Sequence, residues 1–259
     1  MKVAILCGGL GTRIRDVSAD LPKPMIPIGG MPILWHVMRH YARHGHDEFV
    51  LLLGHRGEVI KDFFLNYESR TRDVTVRLGR PGSISFHDSP HEVAWTVTLL
   101  DTGVEAMTGA RLQRARSHLV DETFMLTYGD GVSDVDLSAL AAFHERNGRM
   151  ATVTGVRPPG RFGELAVDED GRATEFNEKP QATDGRISGG FFVFEPGVFD
   201  YLDDREDLVL EEGPLRALVR DGQLSVFEHP GFWQCMDTNR DWTLLDRLAR
   251  STTPPWKTW

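Results

Sequence analysis

Two apolar patterns alternate along the first part of the chain. Short continuous apolar runs recur at 3–6, 49–54, 123–127 and 151–156, the mark of strands covered on both faces. Between them, apolar residues return at helical spacing over 33–41, 58–65, 111–119 and 135–147, and Gly45 suits the end of the first helix. Residues 74–78 and 96–100 alternate as strands do. Strand following helix in this way predicts an α/β fold with helices on both faces of a sheet. Beyond residue 156 the pattern changes. A hairpin is expected from 165–168 and 172–178 around the turn signal at 169–171, then a buried strand at 189–194. Helices at 198–202, 215–220 and 242–248 and a strand at 224–228 complete the reading. The stretch Arg157-Pro158-Pro159-Gly160 reads as a loop, so one domain over 1–259 is expected, with halves at 1–156 and 157–259.

Bulk properties narrow the function. With 259 residues and 41% hydrophobic content the chain can bury a sizeable core. A formal charge of −9 repels phosphate backbones, so nucleic acid is not an expected partner. Cys7 and Cys235 are too few for a zinc or disulfide framework. No apolar run nears the roughly 18 residues of a membrane span, and Met1-Lys2 leads into no signal pattern; the expected setting is cytoplasmic. Lysine is scarce, at positions 2, 23, 61, 179 and 257 alone. Two of these fall in motifs.

Gly8-Gly9-Leu10-Gly11-Thr12-Arg13 follows directly on the first strand. Glycines let backbone N–H groups approach phosphate oxygens, and Thr12 and Arg13 add donors. Alone, the loop equally fits a tight strand exit. It is not the dinucleotide fingerprint, because Ile14 stands where the third glycine belongs, and no Gly-Lys-Ser/Thr follows. Lys23 lies between Pro22 and Pro24 on a conformationally stiff segment. It reads as a solvated lysine in isolation and as an anion clamp beside the glycine loop. Asp130, between Gly129 and Gly131, lies past the carboxyl end of a buried strand, where open α/β sheets bind ligands; seen alone it equally fits an Asp-Gly turn. Asp237 precedes the last helix and by itself reads as an N-cap. The ten histidines show no metal-ligand spacing.

Gly-Gly-Leu-Gly-Thr-Arg, Pro-Lys-Pro, Gly-Asp-Gly, Glu-Lys-Pro at 178–180 and Gly-Gly-Phe-Phe at 189–192, in this order, resemble the sugar-1-phosphate nucleotidylyltransferases. Thr-Tyr-Gly-Asp-Gly-Val at 127–132, Pro-Pro-Gly-Arg-Phe-Gly at 158–163, His-Pro-Gly-Phe-Trp-Gln at 229–234 and Pro-Trp-Lys-Thr-Trp at 255–259 are similar to the glucose-1-phosphate cytidylyltransferases within that family. The resemblance covers essentially the whole chain. It implies an open, mixed, mostly parallel sheet, Rossmann-like, with a smaller β-rich sugar-binding part, the first half serving mainly the nucleotide and the second mainly the sugar phosphate. It implies an enzyme that makes CDP-glucose and pyrophosphate from CTP and α-D-glucose 1-phosphate, for deoxysugar biosynthesis, with Mg²⁺. A homo-oligomer, in the form of a hexamer, is implied as well. Carried over by position, Leu6, Gly8, Gly9, Gly11, Thr12, Arg13, Lys23, Thr102, Gly103, Arg111 and Gly129 would line the nucleotide site, with Arg13 and Lys23 catalytic. Asp130 and Asp237 would hold the metal. Gly163, Glu178, Lys179, Ser188 and Gly190 would face the sugar phosphate. The chain departs from the family's pattern at Leu21, where a basic residue is expected, and at Ser188, where asparagine is. A related enzyme using another nucleoside triphosphate or hexose 1-phosphate is the alternative; a non-catalytic sensor on the same fold is the rival from another class.

Overall fold

In a computed structural model, described for residues 1–9, 11, 14, 20–79, 82–87, 94–157, 164–167, 172–177 and 185–259 (backbone only at 164–167 and 173–177), strand β1 (Val3–Cys7) is buried along its whole length. Val3, Ile5 and Cys7 enter one apolar layer, Ala4 and Leu6 the other, as the pleat of a strand requires. The further strands are β2 (Glu48–Leu53), β3 (Thr96–Asp101), β4 (Phe124–Tyr128), β5 (Ala151–Val156), β6 (Ile187–Phe194) and β7 (Leu224–His229). They form one seven-stranded sheet in the order β7-β5-β6-β4-β1-β2-β3. Every pairing is parallel except those of β6, which runs antiparallel to β5 and β4. This is the mixed, mostly parallel sheet that the family resemblance implies, and it joins strands from before and after residue 156.

Helices cover both faces. The layer holding Val3 and Ile5 is closed by α1 (Ile33–Arg43) and α2 (Gly57–Leu65), and the layer holding Ala4 and Leu6 by α3 (Thr108–Arg114). Later in the chain, α4 (Leu137–Asn147) joins the first layer and α5 (Pro214–Arg220) the second. The last helix, α6 (Asn239–Ala249), returns to the first layer through Leu245. Among the described residues no helix is long and apolar enough to cross a membrane.

Several boundaries differ from expectation, for physical reasons. The helix predicted over 111–119 begins at Thr108 and breaks at Ala115, with a separate turn over Arg116–Leu119. Its start is obscured in sequence by Gly109, which is needed where the segment meets Leu208: an added Cβ would lie 2.8 Å from Leu208 Cγ. The predicted helix at 198–202 is a 3₁₀ segment, Pro196–Tyr201. The hairpin is present as Glu164–Val167 paired antiparallel with Ala173–Asn177; its turn lies outside the described residues. The strand predicted over 74–78 is present as Val74–Val76, paired antiparallel with Ile84–Phe86; the other short ribbons were not foreseen. One of these, Gly131–Ser133 paired with Trp233–Cys235, shapes the site.

Candidate active site

The chain runs from β1 to β2 and β3 on one side of the sheet, then returns to β4 on the other. The loops leaving the carboxyl ends of β1 and β4 therefore open onto one crevice, where strand order reverses. A cavity of about 350 Å³ lies there, bounded by Leu6, Gly8, Gly9, Lys23, Arg111 and Asp130 from the predicted set. Cys7, Pro24, Val104, Glu105, Ala106, Met107, Thr108 and Tyr128 complete the lining.

Lys23 opens a 3₁₀ turn, Lys23–Met25, after an extended Pro22. The amide of Met25 closes the turn on the Pro22 carbonyl at 2.8 Å. Its ammonium is paired with Asp130 Oδ2 at 2.6 Å and with Asp237 Oδ1. Burial alone would lower the lysine pKa, but the Asp130 charge and the hydrogen bonds to Asp130 and Asp237 reverse this and leave it raised.

Two devices bring the carboxylates together from distant parts of the chain. The ribbon of 131–133 with 233–235 sets Asp130 beside Met236, whose amide donates to the Asp130 carbonyl at 2.9 Å. Helix α6 docks on the turn after Lys23: Trp242 Nε1 donates to the Pro27 carbonyl at 3.0 Å, and the Gly29 amide donates to Asp246 at 2.9 Å. The N-cap of α6 is Thr238, in a capping box with Asp241. Asp241 also accepts from the Asp237 amide at 3.1 Å. Asp237 is thus excused from capping, contrary to the simplest reading of the sequence, and its side chain turns to Lys23.

Arg111 explains part of the glycine loop. Its guanidinium donates to the carbonyls of Leu53 (3.0 Å), Gly103 (2.7 Å), Gly8 (3.1 Å) and Val104 (3.2 Å) and to Thr102 Oγ1 (2.9 Å). A Cβ on Gly8 or Gly54 would fall inside this guanidinium. Gly8 therefore makes room for an internal cation at the end of β1. Burial first, and then the charge of Arg114, lower the Arg111 pKa. Arg111→Ala is expected to destabilise the fold by roughly 3 kcal/mol or more in urea unfolding, because it strands several buried carbonyls. Arg111→Lys is expected to recover little, since an ammonium lacks the planar fork. A wild-type unfolding midpoint in both variants would deny the guanidinium this role.

Residues 2–236 match the family model described as nucleotidyl transferase. The chain belongs to the nucleotidyl transferase family. It is 46% identical to the glucose-1-phosphate cytidylyltransferase of Salmonella typhi over the full length of both chains. It is 44% identical, again over both full lengths, to the probable glucose-1-phosphate cytidylyltransferase of Bacillus subtilis. Among solved structures, HddC from Yersinia pseudotuberculosis complexed with GMP-PN superposes with a TM-score of 0.68, covering 95% of this chain and 98% of that one. At 20% identity that likeness speaks for the fold alone. The motifs' resemblance to the glucose-1-phosphate cytidylyltransferases is thus borne out over the full length of the chain.

The remaining predicted residues take varied places. Gly11 adopts a left-handed conformation (φ 58), and a Cβ there would lie 3.4 Å from Lys23 Cβ, so loop and lysine lie side by side. Gly129 is wedged behind the crevice, where a Cβ would lie 3.1 Å from Cys7 Sγ and 3.2 Å from Pro24. Thr102 is buried; its hydroxyl donates to the Leu53 carbonyl at 2.6 Å while accepting from Arg111. Gly103 contributes its carbonyl to the same guanidinium. Gly190 is left-handed (φ 79) and lies under the Tyr128 ring. Ser188 is exposed on β6, opposite Gly155. Leu21 is half-buried and packs on the core. Thr12, Arg13, Gly163, Glu178 and Lys179 lie outside the described residues. Burial raises the thiol pKa of Cys7, and it pushes that of Cys235 up to about 12 with help from Asp237. Both shifts disfavour the thiolate, the nucleophilic form.

Proposed function

We propose that the chain transfers a cytidylyl group from CTP to α-D-glucose 1-phosphate, giving CDP-glucose and pyrophosphate. The observation that carries this reading is the pair Asp130 and Asp237, addressing one ammonium at the mouth of a cavity behind Gly8 and Gly9. The full-length identity to glucose-1-phosphate cytidylyltransferases supports the choice of substrates.

The donor set fits a divalent cation of the Mg²⁺ kind. Both groups are carboxylates, their oxygens converge on a single positive charge, and hard oxygen donors are what Mg²⁺ takes. When bound, such an ion would neutralise phosphate charge. In the reaction a phosphate oxygen of the sugar phosphate forms a bond to the α-phosphorus of CTP, and the bond from that phosphorus to the pyrophosphate oxygen breaks. The nucleophile is already an anion near neutral pH, because the second pKa of a phosphate monoester is about 6. No general base is needed. The chain's task is to hold two polyanions in line and offset their charge, by Lys23 here and by Arg13 on the family pattern.

The test is pyrophosphate release across four nucleoside triphosphates and several hexose 1-phosphates. Turnover confined to CTP and glucose 1-phosphate is the expected result; turnover with another pair alone would replace this reading, and none in any well would favour a sensor. We further infer one working unit over 1–259, since the sheet joins both halves. A cytoplasmic setting suits two free thiols. Assembly with further copies of the chain, a hexamer being the expected form, is supported by the exposed apolar residues Val74, Val76, Ile84 and Phe86 of the ribbon that pairs 74–76 with 84–86. A monomeric mass by light scattering at assay concentration would remove that inference.

A further inference from the structure

Glu211 lies in the segment before α5 and is not among the residues that line the cavity, yet its carboxylate holds both of the cavity's walls. One oxygen accepts from Thr108 Oγ1 at 2.6 Å, and the other accepts from the Tyr128 hydroxyl. Thr108 and Tyr128 both face the cavity, from opposite elements. Thr108 opens α3, the helix that carries Arg111, and it ends the stretch 104–108 that lines the side next to Gly8 and Gly9. Tyr128 ends β4, two residues before Asp130, and its ring lies on the backbone of Gly190.

Each contact is independently constrained. Thr108 Oγ1 also accepts from the Leu210 amide at 3.0 Å, so its proton is directed to Glu211. The wall at 107–110 is fastened to the same strap: the Met107 amide donates to the Glu206 carbonyl, and that of Gly109 to the Leu208 carbonyl, both at 2.9 Å. The Tyr128 ring has Gly190 beneath it and the edge of Phe192 beside it, with centroids 6.4 Å apart. Burial, and then the Glu211 charge, raise the Tyr128 pKa, so the phenol stays a donor at neutral pH. Two hydroxyl donors meet at one acceptor. A carboxylate accepts through both oxygens, whereas an amide accepts through one.

We propose that Glu211 is a positioning residue that sets the gap between the wall of 104–108 and the wall of Tyr128 on Gly190, and through it the fit of both substrates. The proposal rests on the reading that this cavity takes the nucleotide and the sugar phosphate together. It assigns Glu211 no contact with either substrate. Its expected signature is a joint effect on the two, because one carboxylate holds both walls.

The test compares wild type, Glu211→Gln, Tyr128→Phe and the double variant in pyrophosphate release, varying CTP and glucose 1-phosphate separately. Absence of wild-type turnover would count against the functional reading and not against this one. Given turnover, each single variant is expected to raise KM for both substrates roughly tenfold, the scale of one lost hydrogen bond to a charged group, with a smaller fall in kcat. The double variant is expected to be no worse than the poorer single, because both substitutions break the same link. Additive losses would separate Tyr128 from Glu211 and overturn the proposal. So would a rise in KM for one substrate only, or unchanged KM values with a lowered melting temperature. Should Glu211→Gln fail to fold, Tyr128→Phe decides alone, since it keeps the packed ring; unchanged KM values in that variant would overturn the proposal.

Discussion

Asp130→Asn and Asp237→Asn are each expected to abolish metal-dependent turnover while leaving the fold in place. The two carboxylates and the Lys23 ammonium sum to a formal charge of −1. Either substitution brings that sum to zero and removes one of two hard anionic donors. Shape changes little, because an amide is nearly isosteric with a carboxylate. The backbone around both positions is secured by other groups: the 131–133 ribbon and the Met236 amide hold residue 130, and Asp241 holds the amide of residue 237. The loss is therefore electrostatic. Pyrophosphate release would be followed as a function of Mg²⁺, and Mn²⁺ binding by its paramagnetic signal would be measured alongside. A variant that keeps its metal response would show its carboxylate to be structural. Asp237 has the sharper outcome, since the capping of α6 belongs to Thr238 and Asp241 and would survive the change.

The same pair shows how far the sequence could be read. Continuous apolar runs identify β1, β2, β4 and β5 because both faces of these strands are buried, so every position carries the signal. Loops past β1 and β4 follow from strand ends and glycines, and with them Gly8, Lys23 and Asp130. The ribbon of 131–133 and 233–235 was not legible: three residues are too few to show a period of two, and pairing between segments so far apart in the chain leaves no local trace. Asp237 before a helix obeys the rule for an N-cap, and the Thr238 and Asp241 alternative one residue later obeys it better. Arg111 is legible as a charged residue near the site. That its charge is directed at carbonyls depends on Gly8 and Gly54, whose missing Cβ atoms only the fold relates to it. Glu211 sends no signal at all, lying in an acidic surface stretch like many others. A tyrosine directly ahead of Gly-Asp-Gly was the one available hint to Tyr128.

Lys23→Ala is expected to lower kcat/KM by on the order of 10²-fold or more, the scale set by removing a single electrostatic donor aimed at developing charge. The side chain is 13% exposed and faces the cavity, so its field acts where water screens poorly. A second effect accompanies the first. Without the ammonium, Asp130 and Asp237 face one another as like charges, which opposes their joint ionisation. Its raised pKa works in the sense opposite to burial: the stabilisation is fully present below the ordinary lysine pKa and is lost only as pH rises through the higher folded value. At neutral pH both the stability term and the catalytic term are therefore present in the wild type, and the alanine variant loses both. Two further variants separate them. Lys23→Met keeps most of the stem and removes the charge, so it should match alanine in rate while retaining more of the packing. Lys23→Arg keeps the charge but spreads it over a planar fork too large for the space between two carboxylates, and it should restore stability more than rate. Near-wild-type turnover in Lys23→Ala would sink the clamp. Slow turnover that Lys23→Met fully restored would assign Lys23 to packing, leaving the neutralisation of the triphosphate to other cations of the loop.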